Sequence, residues 1–243
     1  MSVAVVWEHW ERIVDGAWVT AQLTAVSLAM GLLAAVALAA MRVARHPLLR
    51  WPAYAYIFYF RGTPLLVQLF LVYYGSGQFR PELQEVVIWR YLDAAGDQVQ
   101  ITLWDYFRDA WFCAVLTLTL NTSAYTAEIL RGALQAVARG QIEAARAAGM
   151  SRALLARRIV APQALRIALP MYGNEVVFLL QATSLVSTIT ILDLTGVAQR
   201  IIAKTFAVYE VYIAVAVFYL VLSYSLILLF KGLERRWSRG KVG

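Results

Sequence analysis

The chain has 243 residues, 61% of them hydrophobic and 15% charged, where soluble globular domains run at about half and about a quarter. With a mean hydropathy of +0.62, these proportions exclude an ordinary soluble domain and point to an integral membrane protein. The single cysteine, Cys113, excludes an intrachain disulfide, and two histidines leave no material for a Cys/His metal centre.

In chain order, the first long apolar run is Ala17–Met41, which carries no charge. At about 1.5 Å per residue it crosses about 30 Å of hydrocarbon with some tilt. It lacks the short apolar core and small-residue cleavage site of a signal peptide, and so reads as an anchor. The apolar stretch from Trp51 to Gly77 is interrupted by Arg61-Gly62-Thr63-Pro64. Trp51–Phe60 is too short to span, so it reads as an aromatic interfacial helix, with a second span over 62–79. Three further spans are predicted over 110–130, 167–192 and 211–230. Period-2 alternation is absent over these lengths, which argues against a transmembrane β-barrel. The expected fold is therefore all-α and integral to the membrane, one domain with five transmembrane helices.

Charge sets an expected orientation. The connection after the first span holds Arg42, Arg45 and Arg50, and residues 131–166 hold seven arginines. The C-terminal tail adds Lys231, Arg235, Arg236, Arg239 and Lys241, and the acids facing all of these are Glu143 and Glu234. The opposite side is acidic, with Glu82, Glu85, Asp93, Asp97, Asp105 and Asp109 among its residues. The positive-inside rule then predicts a cytoplasmic C-terminus and an external N-terminus. The basic excess is a topology signal, and no nucleic-acid partner is expected.

The 131–166 connection is rich in Ala, Leu, Arg and Gln, which favour helix. Its apolar spacing predicts two or three short amphipathic helices punctuated by Pro162 and Pro170, with a sharp turn at Gly149-Met150-Ser151 and Ser151 as an N-cap. Physics alone leaves two readings open. The helices lie on the membrane with arginines toward lipid headgroups, or a soluble partner grips the unit in a groove.

The residues Glu143-Ala144-Ala145-Arg146-Ala147-Ala148-Gly149, followed by Ile159 and Pro162, resemble the EAA loop of ABC importer permeases. Ala161 stands where that family has Leu. Arg61–Gln68, Leu118–Glu128 and Ala164–Pro170 with Asn174-Glu175 are similar to segments of polar amino-acid permeases. The resemblance runs from about Ala17 to Trp237 and is closest to the histidine/lysine/arginine/ornithine and opine permeases. It implies a type I importer permease fold in a bacterial inner membrane, with a cytoplasmic coupling helix. It also implies the partners: two copies of an ATP-binding subunit, a second permease subunit (a different chain or a second copy), an external amino-acid-binding protein, and membrane lipid. The coupling residues it implies are Glu143, Ala144, Ala145, Gly149, Met150 and Pro162, with Glu143 and nearby arginines forming ion pairs to the ATPase. The external 79–109 segment, mixed in charge, is either a docking surface for the binding protein or a solvated loop with no partner.

No G-x-x-x-x-G-K-[ST] occurs, Gly240-Lys241 being followed by Val242. The chain is thus expected to carry no cofactor, with ATP and Mg on the partner ATPase. Within the spans, Glu175 is a functional candidate because an ionisable group in lipid is costly; the competing reading pairs it with Arg166 or Arg61. Asn121, Tyr125, Gln181 and Ser184 complete a candidate substrate path, with helix–helix adhesion as the alternative role of these polar bands. Related permeases often carry Lys-Asp where this chain has Gln181-Ala182. The function these features imply is an ATP-driven importer subunit for polar, chiefly basic, amino acids. A self-sufficient secondary transporter is the rival. An intramembrane enzyme would need a catalytic constellation such as H-E-x-x-H, which is absent.

Overall fold

The computed structural model describes residues 4–92 and 97–238. Asp93, Arg239, Gly240 and Lys241, which entered the sequence argument, lie outside the described residues.

The helices α1 (Ala4–Glu8), α2 (Trp10–Val43), α3 (Pro47–Gly62) and α4 (Leu65–Tyr73) lead into a 3-10 turn at Gly75–Phe79 and α5 (Arg80–Glu85). A hairpin of β1 (Val87–Leu92) and β2 (Gln98–Thr102) follows, then α6 (Leu103–Phe107) and α7 (Ala110–Gln135). Next come α8 (Arg139–Ala147), α9 (Arg152–Leu155), one π-helical turn at Ala156–Val160 and α10 (Ala161–Ala182). A 3-10 segment at Thr183–Ile189, α11 (Leu194–Thr205) and α12 (Val208–Ser238) complete the order.

Among the described residues, α2 and α12 are the two helices long and apolar enough to cross a membrane, by length and composition. Two broken pairs, built on α3 with the helices after it and on α10 with α11, satisfy the same test jointly. At the segment expected to span over 62–79, Gly62 ends α3 and the chain restarts as α4 after Thr63-Pro64, so the helix begins at Leu65. Pro64 has φ −63° and ψ 134° and gives α4 no side-chain cap. Buried Gln68 reaches back instead, donating from Nε2 to the Thr63 carbonyl (3.0 Å) and to Thr63 Oγ1 (2.8 Å). The break is thus satisfied internally, as a polar backbone group out of water requires. Helix α7 has 26 residues, about 39 Å, but its polar band from Thr117 to Thr126 keeps it out of the purely apolar set.

The prolines of the loop do not end helices: the chain passes through Pro162 and Pro170 within α10. The π turn just before Pro162, closed by Ala161 N–H to the Ala156 carbonyl, absorbs the first of them. Helix dominates as expected, and the hairpin is the exception. Val87 to Leu92 pairs antiparallel with Gln98 to Thr102, with an irregularity between Val87 and Trp89. Its register ends in a capping box, where Thr102 and Asp105 satisfy each other's neighbouring donors. Hydrogen bonds from Thr102 hold the Asp105 carboxyl below its usual range. The box therefore keeps its charge above that range and loses it only as pH falls below.

The chain forms two compact units. One comprises Met1–Ser27, Thr63–Thr119 and Ala182–Val215; the other comprises Leu28–Gly62, Leu120–Gln181 and Ala216–Gly243. In the first, α2 packs on α11: Gly16 lies so close to Leu194 and Val197 that a Cβ there would stand 3.0 Å from Leu194 Cα. The Leu194 N–H donates to Thr20 Oγ1 (3.1 Å), and Asp193, fully buried, caps α11 by accepting from Gly196 N–H (2.9 Å). In the second, Ala35, Ile57, Ala124 and Ala127 form one core, and Ala133, Val137, Ala164 and Ala168 another. Small residues at these crossings let helix backbones approach closely, the packing mode favoured in lipid.

Asp193→Ala removes the α11 cap and is expected to destabilise the protein by about 1–2 kcal/mol. Thermal unfolding in mild detergent should show a lower midpoint, largely recovered in Asp193→Asn. A midpoint equal to that of the parent would contradict the capping role.

Candidate functional site

The loop built around α8 carries its own scaffolding. Helix α8 ends in a full Schellman motif: Met150 N–H donates to the Ala145 carbonyl (3.1 Å) and Gly149 N–H to the Arg146 carbonyl (2.9 Å). The motif needs a left-handed residue at Gly149, whose φ is +78°, the region that glycine enters without steric cost. Two residues on, Ser151 caps α9 by accepting from Leu154 N–H at 3.3 Å. The turn and the cap both fall where the sequence places them.

Which side of α8 faces inward is decided by packing. Ala145 is buried at 6% exposure, and Ile142 packs on the core of Ala133, Val137, Ala164 and Ala168 from α7, its C-terminal continuation and α10. Glu143, Ala144, Arg146, Ala147, Ala148 and Gly149 are exposed. Glu143 makes no ion pair within 4.0 Å among the described residues. The result is an outward face of small residues flanked by one free carboxylate and one guanidinium. Of the six predicted coupling residues, Glu143, Ala144 and Gly149 lie on this face. Ala145 faces the core, while Met150 and Pro162 are half-buried.

Within their unit, the predicted substrate-path residues Asn121, Tyr125 and Glu175 meet different neighbours. Asn121 donates from Nδ2 to the Phe60 carbonyl (3.3 Å), and one turn later the Tyr125 ring lies 5.3 Å from the Arg61 guanidinium. These two residues meet the end of α3. Glu175 lies toward α10's other contact with α7, where its Oε1 accepts from Thr122 Oγ1 at 2.9 Å. Among the described residues neither Arg166 nor Arg61 forms an ion pair with it within 4.0 Å; Arg61 lies over the Tyr125 ring and faces Glu175 only at longer range. Gln181 is exposed, and Ser184 belongs to the other unit.

Two residues absent from the predicted set organise this region. Tyr56 on α3 donates to the Leu120 carbonyl (2.9 Å) and meets Ser123 Oγ at 2.8 Å, tying α3 to α7. Thr122 is the partner of Glu175. The signal for Thr122 was its place in the polar band, but nothing in the pattern singles it out from Ser123 or Thr126. Among the described residues, no three His, Cys, Asp or Glu side chains are grouped to hold a metal ion.

Comparison with known proteins adds to this geometry. The family model for the binding-protein-dependent transport system inner membrane component matches residues 27–239. The nopaline transport system permease protein NocM of Agrobacterium fabrum is 45% identical over 224 residues, covering 92% of this chain and 87% of its own. The histidine/lysine/arginine/ornithine transport system permease protein HisM of Salmonella typhimurium is 41% identical over 242 residues, covering 97% of each chain. A crystal structure of an amino acid ABC transporter with histidines contains a chain 33% identical, with a TM-score of 0.82 and coverage of 97% of this chain and 99% of that one. An inward-facing structure of the MetNI methionine ABC transporter, at 17% identity, TM-score 0.72 and coverage of 98% and 99%, shares the fold.

Thr122→Val leaves the Glu175 oxygen without its hydroxyl donor in a buried site. A loss of about 1–3 kcal/mol is expected, seen as a lower unfolding midpoint, with Thr122→Ser close to the parent. A valine variant as stable as the parent would show that the bond contributes nothing.

Proposed function

Because this chain belongs to the family of binding-protein-dependent transport system inner membrane components, we propose that it is the membrane-spanning subunit of an ATP-driven importer of polar amino acids. It is a permease subunit and not an enzyme, and ATP hydrolysis belongs to a separate chain. Basic amino acids or opines are the proposed substrates, the class carried in the names of the relatives at 45% and 41% identity.

The observation that carries the reading is the exposed Glu143–Gly149 face, held outward while Ile142 and Ala145 anchor it. A groove on an ATP-binding subunit accepts a short helix whose outer face is small and whose end is a tight turn, because small side chains allow close backbone approach. Glu143 and Arg146 supply the polar contacts at its edge. Two copies of the ATP-binding subunit, holding ATP and Mg, close on nucleotide and draw this helix with them. The spans then alternate between inward and outward access. A second permease subunit, either another chain or a second copy, completes the passage, and an external amino-acid-binding protein delivers substrate. In this reading α7 is a true span whose polar band faces protein, giving five spans with the C-terminus cytoplasmic and the N-terminus external. Asn121 and Tyr125, which hold α7 to the end of α3, and Glu175 with Thr122 are then structural clasps beside the passage.

Gly149→Asp places a charge and a side chain at the left-handed turn on that face. The variant is expected to insert normally yet recover less ATP-binding subunit on purification, with uptake reduced on the order of tenfold or more. Normal uptake would contradict the assignment of α8 as the coupling helix.

A further inference from the structure

Apart from the coupling loop, a second basic feature lies in the unit containing α3, and the importer reading does not use it. A cleft of about 370 Å³ is lined by Arg42, Arg50, Trp51, Tyr54, Arg131 and Gln135. Three of the six residues are arginines, and the lining contains no acid. Arg131 is already engaged, clamped by Glu128 through Nε (2.9 Å) and Nη2 (2.5 Å) while Nη1 donates to Gln135 Oε1 (2.6 Å). Arg42 and Arg50 form no ion pair within 4.0 Å among the described residues. The Arg42 guanidinium lies 4.9 Å from the centre of the Tyr54 ring, and its Nε is buried without a hydrogen-bond partner. With no acid in the lining and no ion pair on Arg42 or Arg50, the cleft presents two guanidiniums whose charge favours an anion.

An apolar track leads away from the cleft. Trp51, Tyr54 and Phe58 recur at i, i+3 and i+7 on α3 and are exposed at 61%, 42% and 68%. Their rings follow one another, Trp51 to Tyr54 edge-on at 5.8 Å and Tyr54 to Phe58 stacked at 6.0 Å. Leu48, at 76% exposure, extends the stripe toward the helix start. A free phosphate ion would use the arginines and ignore this stripe. A ligand with a phosphodiester head and hydrocarbon chains uses both, since a guanidinium matches phosphate oxygens in bidentate geometry and aromatic residues mark the membrane interface.

We propose that the Arg42–Arg50–Tyr54 cleft is a binding site for the headgroup of an anionic glycerophospholipid, with an acyl chain laid along Trp51, Tyr54 and Phe58. The lipid neutralises the two unpaired guanidiniums and fixes α3 against the C-terminal end of α2. The proposal rests on the membrane location of the chain and stands apart from its transport role.

The test uses the full-length chain, with whatever subunits co-purify, in nanodiscs of equal phosphatidylglycerol and phosphatidylcholine. After extraction into mild detergent, the retained lipid is quantified by native mass spectrometry. Phosphatidylglycerol is expected to be retained over phosphatidylcholine on the order of tenfold. That preference should fall toward parity in Arg42→Gln/Arg50→Gln and survive in part in Arg42→Lys/Arg50→Lys. It should be unchanged in Arg235→Gln, an exposed arginine on α12 outside the cleft. Where the double variant fails to fold, the single Arg50→Gln, at an exposed position, carries the same comparison. Equal retention of the two lipids by the parent, or a preference that persists without both arginines, overturns the proposal. Cross-linking from position 50 to a partner polypeptide, with no phosphatidylglycerol preference, overturns it in favour of a protein contact.

Discussion

What α8 can offer to a partner depends on how it is seated. Ile142 and Ala145 hold the helix against a floor of Ala133, Val137, Ala164 and Ala168, and that contact decides which residues remain outside. The floor is made of small side chains from two long helices, so α8 sits close to both and cannot roll without opening a void. The Schellman turn at Gly149 and the Ser151 cap then stop the helix after Ala147 and start the next one. In the proposed coupling role, a pull on the outer face would reach α7 and α10 through these packed atoms. A floppy loop of the same composition could bind a partner but would transmit nothing.

A second constraint is that polar atoms inside the bundle must find partners within the chain, since lipid supplies none. Helix α7 carries an unusual density of hydroxyls and two amides, and several of their bonds run to backbone or neighbouring helices, although Thr119 Oγ1 is buried without a partner. Thr117 donates to the Cys113 carbonyl (2.8 Å), Asn121 to the Phe60 carbonyl, and Thr122 to Glu175. The polar band that first suggests a solute path is thus largely spent on joining helices, as hydroxyl-rich spans often are. The same economy explains Gln68, whose side chain serves the carbonyl exposed by the Thr63-Pro64 break.

The local chemistry of this chain was legible in its sequence, and its long-range contacts were not. Gly149 and Ser151 announce a turn and a cap because left-handed backbone and N-cap geometry each demand particular residue types within a few positions. The apolar lengths of α2 and α12 announce spans for the same reason. By contrast, α3 was read as a short interfacial helix beginning at Trp51, while it starts at Pro47 and runs to Gly62. Pro47 at the first helical position is itself a start signal, one that a reading from the aromatic run at Trp51 passes over. The hairpin is hard to detect because it is short and β1 is exposed along most of its length, so only Val99 and Ile101 of β2 mark an inner side. Glu175 stands out as an ionisable group in an apolar run, but its hydrogen-bond partner sits 53 positions away. Charge alone nominated arginines where a threonine serves. No local rule links Thr122 to Glu175, so only the fold reveals the pair.

The claim on which the account turns is that ATP hydrolysis in a separate subunit is coupled to movement through this chain. The most direct measurement is ATPase activity and vesicle uptake of the reconstituted complex, recorded together with and without the substrate-loaded binding protein. The account predicts that this chain co-purifies with an ATP-binding subunit, and that loaded binding protein raises hydrolysis and uptake in parallel. A chain that purifies without an ATPase and still moves solute down an ion gradient would contradict it and establish a self-sufficient carrier.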